Sequence, residues 1–235
     1  MKFQELVSPS LKDLFVKQME DLILSGKLAI GDKLPNERDM ALQMKVSRSI
    51  VNSGMQELSS KAFIKIIPRK GAFVEDYIHN GNINTLNAIL KNHGISFDYH
   101  LFTSFVEFRR DLETICAHKA ALNRSDIHLF DLGTFLEEIR VSKTIDELLD
   151  ATVSFHHQIF VSTNNIVYPL VFNAFYDVLT TITRDLLRII SKDIVYTNAL
   201  KIFNAIKNQE ADLAQELMKA YVDECALKLE QTKHR

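Results

Sequence analysis

The sequence offers little from which to build a covalent or membrane-embedded framework. Its two cysteines, Cys116 and Cys225, lie far apart and without CxxC spacing. That argues against a disulfide framework or a thiolate zinc site and fits a reducing cytosol. No run of 18 apolar residues occurs, and the opening MKFQELVSPS has no apolar signal core. Neither membrane spanning nor export is expected, and a cytoplasmic location follows. Glycine and proline are scarce, at seven and four. Together with long periodic stretches, this favours helices over a sheet-rich fold. Also missing are GxSxG, P-loop, HExxH and Rossmann patterns. His156-His157 and nearby Asp150 have neither nucleophile nor metal to work with, so no enzyme is expected.

What is present is the balance of a soluble globular protein, 46% apolar and 25% charged, with length for one large or two modest domains. The net charge of −2 is uninformative, but its distribution is not. Residues 33–71 hold eight basic side chains (Lys33, Arg38, Lys45, Arg48, Lys61, Lys65, Arg69, Lys70) against Glu37, Asp39 and Glu57. A local basic patch on a mildly acidic chain suits a compact nucleic-acid-binding module joined to a different kind of domain. An ordinary solvated face is the bland alternative.

Along the chain, Leu11, Leu14, Phe15, Met19, Leu22 and Ile23 mark an amphipathic helix over 11–25 that Gly26 ends. An extended piece, KLAIGDKL, turns at Gly31-Asp32. Pro35 bars a helix from running through, and Asn36 caps a short helix over 37–44, with Asp39 reaching back to free N–H groups. Ser47 caps a second helix, 48–60, which turns Ile50, Val51, Met55 and Leu58 inward and Arg48, Ser49 and Asn52 outward. FIKII, PRKG and AFVED then read as a β-hairpin. The order is that of a winged helix-turn-helix.

GKLAIGDKLPNERDMA, VSRSIVNSGMQELSSKAFI and PRKGAFVED resemble the DNA-binding domain of the GntR family of bacterial transcription regulators. By that resemblance Arg38 and Arg48 contact DNA, and Ser47 and Ser49 donate to phosphate at a helix N-terminus. Arg69, Lys70 and Gly71 form the wing tip beside the minor groove. Two departures stand out. Ala62 replaces a helix-ending glycine. Asn52 replaces a common arginine, so guanine readout gives way to a side chain suited to adenine N6/N7.

YIHNGNINTL is the expected boundary, dividing residues 1–78 from 87–235 through a linker at 79–86. Beyond it, helices are expected near 83–92, 97–122, 125–141, 144–162, 165–191, 194–207 and 210–231. Ser125, Thr144 with Glu147, and Asn164 serve as start signals. The fold class is therefore mainly α: a winged helix-turn-helix followed by an all-α bundle of six or seven helices.

EFRRDLETICAHKAA, SFHHQIFVSTNN and NALKIFNAIKNQEADLAQELMKAYV resemble the effector-binding FCD domain of the FadR subfamily. Such domains commonly hold a metal on one Asp and three His. At those positions this chain has Thr152, His156, Ala199 and Tyr221, so only His156 remains and no cofactor, zinc included, is expected. A rescue by Asp150 requires irregular geometry. The expected effector residues are Arg109, Glu113, Thr152, His156, Asn198 and Tyr221, with Arg109 taking an anion bidentately. The expectation is a homodimeric, ligand-responsive regulator, a repressor by family habit. It binds palindromic double-stranded operator DNA and responds to a small carboxylate or other anionic metabolite. The alternatives are an acyl-CoA or fatty-acid sensor, whose tunnel Phe102, Phe105, Phe108, Phe155, Phe160, Phe172 and Phe175 would line, though they suit a plain core equally well, and a DNA-binding protein with no effector.

Overall fold

Side-chain caps, more than apolar periodicity, set where the helices of this chain begin. The computed structural model describes residues 9–93 and 99–233, with side chains for 9–90 and 103–231. The chain divides into two units after Gly94.

In the first unit, Ser10 and Asp13 form a reciprocal capping box at the start of α1 (Leu11–Leu24). Asn36 caps α2 (Glu37–Met44) by accepting the Asp39 N–H at 3.0 Å. The Asp39 carboxylate does not reach back to the backbone as expected; it accepts the Asn36 side-chain amide at 2.8 Å. Lys45, left-handed at φ 54°, ends α2. Ser47 then caps α3 (Arg48–Ser60). Strands β1 (Ile64–Ile67) and β2 (Gly71–Val74) pair antiparallel with Ile64 opposite Val74. The extended piece before α2 docks on this hairpin: Gly31 N–H donates to Val74 and Leu34 N–H to Ala72. Two helices follow, α4 (Tyr77–Asn80) and α5 (Ile83–His93).

The expected linker at 79–86 is thus built into structure. Thr85 Oγ1 donates to the Lys61 carbonyl at 2.6 Å, Asn82 Nδ2 donates to the Ser60 carbonyl at 3.0 Å, and Ala88 joins the core of Phe15, Val51, Leu58 and Phe63. The helix expected to open the second unit belongs to the first. A Gly/Asn-rich stretch reads as a linker because those residues favour turns, but here its polar side chains bond the carbonyls at the C-terminal end of α3.

The second unit holds seven helices among the described residues. They are α6 (Tyr99–Asn123), α7 (Asp126–Val141), α8 (Ile145–Ser162), α9 (Val167–Ala174), α10 (Tyr176–Leu187), α11 (Lys192–Lys207) and α12 (Ala211–Lys233). Thr144 and Glu147 cap α8 reciprocally, as Ser125 caps α7. Helix α8 is buried over most of its circumference and packs against α6, α7, α9 and α10, the pattern of a central helix. The single helix expected over 165–191 is broken at Phe175 (φ −107°, ψ 7°). The break sends successive aromatics to different helices: Phe172 meets Phe160 and His157 of α8, while Phe175 meets Phe105 and Phe108 of α6. Asn164 does not cap α9. It is left-handed at φ 57°, and Asn165 Oδ1 instead accepts the Val167 N–H at 2.9 Å.

Two positions in the first unit carry opposite expectations. A Cβ at Gly54 of α3 would sit 2.3 Å from Cδ1 of buried Phe15, so the glycine lets α1 and α3 approach. Ala62 adopts φ 52°, where a Cβ is strained. Gly54→Ala, normally helix-stabilising, is expected to destabilise by about 1–3 kcal/mol through overpacking. Ala62→Gly is expected to stabilise by about 0.5–1 kcal/mol. Urea unfolding midpoints of the two variants should therefore move in opposite directions.

Candidate functional site

The expected surface residues Arg38, Ser47, Arg48, Ser49, Asn52, Arg69, Lys70 and Gly71 are all solvent-exposed in the first unit. Arg48 and Asn52 lie one turn apart on the same face of α3. Ser47 Oγ accepts the Ile50 N–H at 3.3 Å and sits 2.8 Å from Ser49 Oγ, so both hydroxyls gather at the helix N-terminus. Val51, Met55 and Leu58 are buried beneath, while Ile50 is half-buried. At the wing tip Arg69 (φ 64°) and Gly71 (φ 111°) make the sharp reversal.

The basic patch is smaller than its sequence count. Lys61 turns inward, bridging Glu20 at 2.9 Å and Glu57 at 2.8 Å, and Lys65 pairs with Glu75 at 3.2 Å. Asn52 Nδ2 donates to Glu37 Oε1 at 2.9 Å, tying the first turn of α2 to α3. The spacing of 15 residues gave no hint of this contact.

In the second unit, five of the six expected effector residues converge. Arg109, Glu113, Thr152, His156 and Tyr221 line one cavity together with Val153, Phe172, Leu179, Thr183, Leu186 and Cys225. Asn198 does not join them; its amide donates to the Ile194 carbonyl of its own helix at 3.1 Å. The residues of α9 and α10 had no signal in sequence, since their apolar spacing looks like any core. Cys225 was within reach of inference, one turn beyond Tyr221.

The cavity is a polar centre in an apolar shell. Arg109 Nε donates to Glu113 Oε1 at 2.7 Å, and Glu113 is 3% exposed. His156 Nδ1 lies 3.2 Å from Glu113 Oε2, an ion-pair distance off the line of a good hydrogen bond, so neither atom has a well-directed protein partner. The His156 ring stacks on Tyr221 at 5.5 Å between centroids. Burial alone would raise the Glu113 carboxyl; the Arg109 guanidinium and His156 outweigh it and bring it down to about 2. Burial pushes the Tyr221 hydroxyl well up and the Cys225 thiol to about 12, so both stay protonated. The free volume is about 20 Å³, room for one water. A second small cavity adjoins it, sharing Arg109, Glu113, Phe172 and Leu179, and lined otherwise by Phe105, Phe108, Leu112, Phe160 and Phe175. Phe155 is plain core, and the Phe102 side chain lies outside the described residues.

The donors present do not fit a divalent metal. Thr152 Oγ1 donates to the Leu148 carbonyl at 2.6 Å, Ala199 has no donor, and Tyr221 is a protonated phenol. Asp150 is exposed and lines a different groove with Glu138 and Glu147. Among the described residues no group of three or more His, Cys, Asp or Glu could hold a metal ion.

The Glu113 linkage has a definite sign. Its folded carboxyl is depressed below the ordinary 4.5, so its stabilisation is complete above that pH and is lost as pH falls toward about 2. Glu113→Gln leaves the half-buried Arg109 without its counter-charge. At pH 7 it is expected to cost about 3–5 kcal/mol. In denaturant unfolding, the gap to the parent protein should narrow steadily below pH 4.5.

Two family descriptions match this chain. "Bacterial regulatory proteins, gntR family" covers residues 15–74, and "FCD domain" covers residues 104–224. The HTH-type transcriptional regulator Mce2R of Mycobacterium tuberculosis is 24% identical over 179 residues, spanning 74% of this chain and 72% of that protein. The uncharacterized HTH-type transcriptional regulator YcbG of Bacillus subtilis is 24% identical over 177 residues, spanning 70% and 67%. Among solved structures, Lar, which controls expression of the Listeria monocytogenes agr system, aligns with a TM-score of 0.62 at 14% identity, over 96% of this chain and 99% of that one. Escherichia coli McbR/YncC aligns with a TM-score of 0.53 at 15% identity, over 96% and 100%. At such identities the structural likeness speaks for the fold alone. The chain belongs to the GntR family of bacterial regulatory proteins: it is a transcription regulator, not an enzyme, and its C-terminal half is an FCD effector-binding domain.

Proposed function

We propose that this regulator is a cytoplasmic homodimeric repressor that reads a palindromic operator and releases it on binding a small carboxylate, without a metal. The observation that carries the effector reading is the group of half-buried Arg109 with buried Glu113 and His156 beside a small cavity. Arg109 Nε serves Glu113, and a guanidinium carries four further N–H donors that suit a carboxylate. His156 turns a ring nitrogen toward Glu113 at the edge of the same space. The cavity holds only a water as it stands, so the effector enters by displacing the wall formed by Phe172, Leu179, Thr183 and Leu186 of α9 and α10. Effector binding then changes operator affinity only by its preference for one of two states.

On the DNA side, α3 is the recognition helix. Arg48 and Asn52 face base edges; Arg38, Ser47 and Ser49 hold phosphate; Arg69, Lys70 and Gly71 place the wing. A second reading gives the effector an apolar tail, because the Phe105, Phe108 and Phe175 cluster adjoins the polar cavity. Fatty-acid or acyl-CoA chemistry would use that side.

Selection from random DNA is expected to return palindromic sites, and Arg48→Ala should weaken their binding about ten-fold or more. A thermal-shift panel of carboxylates, sugar acids and acyl-CoAs should yield one class that raises Tm and weakens operator binding. If no class does, the protein is a DNA-binding regulator without an effector in this cavity. Saturable zinc binding by chelator-treated protein would overturn the metal-free reading.

A further inference from the structure

We infer that Glu37 is a specificity-determining positioning residue: it fixes the side-chain amide of Asn52 in the orientation that reads adenine. This rests on the proposed role of Asn52 at a base edge. The observation is the 2.9 Å bond from Asn52 Nδ2 to Glu37 Oε1, between the first turn of α2 and the second turn of α3.

An asparagine amide can present itself in two senses, and on an exposed surface little separates them. A glutamate carboxylate offers only acceptors. It therefore admits the nitrogen of the Asn52 amide and repels its oxygen. Adenine needs an acceptor for its N6 hydrogen and, beside it, a donor to N7. The amide nitrogen carries two hydrogens. The one trans to Oδ1 can serve Glu37. The one cis to Oδ1 then forms, with that oxygen, the coplanar donor and acceptor that adenine requires. Both bonds are made at once, and the flipped amide is excluded before DNA arrives.

Charge supports the assignment. Glu37 sits next to Arg38 in sequence and bonds Asn52, one turn from Arg48 on α3, in a stretch where cations outnumber carboxylates. A carboxylate there opposes the approach of phosphates, so it contributes nothing to general DNA affinity. It is placed instead to favour the N-terminus of α2 and to hold the Asn52 amide.

The test compares the full-length protein with Glu37→Gln, Asn52→Ala and the double variant, by site selection and by anisotropy on selected and unrelated duplexes. The introduced glutamine amide can accept from or donate to Asn52, so both amide senses become available while the shape is kept. Glu37→Gln should lower the preference for adenine at one base pair of each half-site about five-fold or more, near the low end of a bidentate contact. It should leave binding to unrelated DNA equal or tighter, which loss of fold would not do. Asn52→Ala should abolish the same preference, with Glu37→Gln adding nothing to it. If Asn52→Ala relaxes that position and Glu37→Gln leaves it intact, Glu37 has no positioning role. If Asn52→Ala relaxes no position, Asn52 is not a base reader, and the proposal falls together with the reading beneath it.

Discussion

A charged group taken out of water sets the terms for the second unit. Glu113 is almost fully enclosed, and an isolated carboxylate there would simply take up a proton. Arg109, one turn away, keeps it ionised, and His156 approaches its other oxygen from α8. The pair has no better reason in stability than an apolar core of the same volume would have. It stands as a fixed electrostatic feature facing a cavity, with α6 on one side and the central helix on the other. Thr152 and Tyr221 complete the wall of that cavity, the Thr152 hydroxyl being bonded to its own helix.

The first unit obeys a different constraint. Its core is small, so each contact between helices counts. Gly54 lets the Phe15 ring lie against α3, and that contact fixes the depth at which the outward face of the helix is presented. The polar bonds among Asn36, Asp39, Ser47 and Ser49 then settle the two helix starts. Glu37 and Asn52 connect those starts across the turn. Orientation of the reading surface thus follows from packing below and from hydrogen bonds above.

Some of this was legible in the residues. Ser47, Ser125 and Thr144 announced their helices because a cap bonds to N–H groups two or three residues on, and local bonds are written locally. The wing was announced by two apolar runs around Pro68 and Gly71. The break at Phe175 was not, since apolar periodicity continues across a one-residue change of direction. Nor was the docking of α5, where Asn82 and Thr85 bond to the carbonyls of Ser60 and Lys61, far back in the chain.

The sequence by itself determined the classes of element, their order, and the residue types available for DNA contact and anion binding. Those depend on caps, spacing and side-chain chemistry within a few residues. Tertiary structure alone decided which polar groups face one another. It brought Arg109, Glu113, His156 and Tyr221 from three helices into one cavity and left Asn198 bonded to its own helix. It turned Lys61 from a surface cation into a half-buried ion-pair partner. It also set Glu37 against Asn52. Electrostatic partners are chosen by proximity in space, and proximity between residues far apart in sequence exists only once the cores have formed.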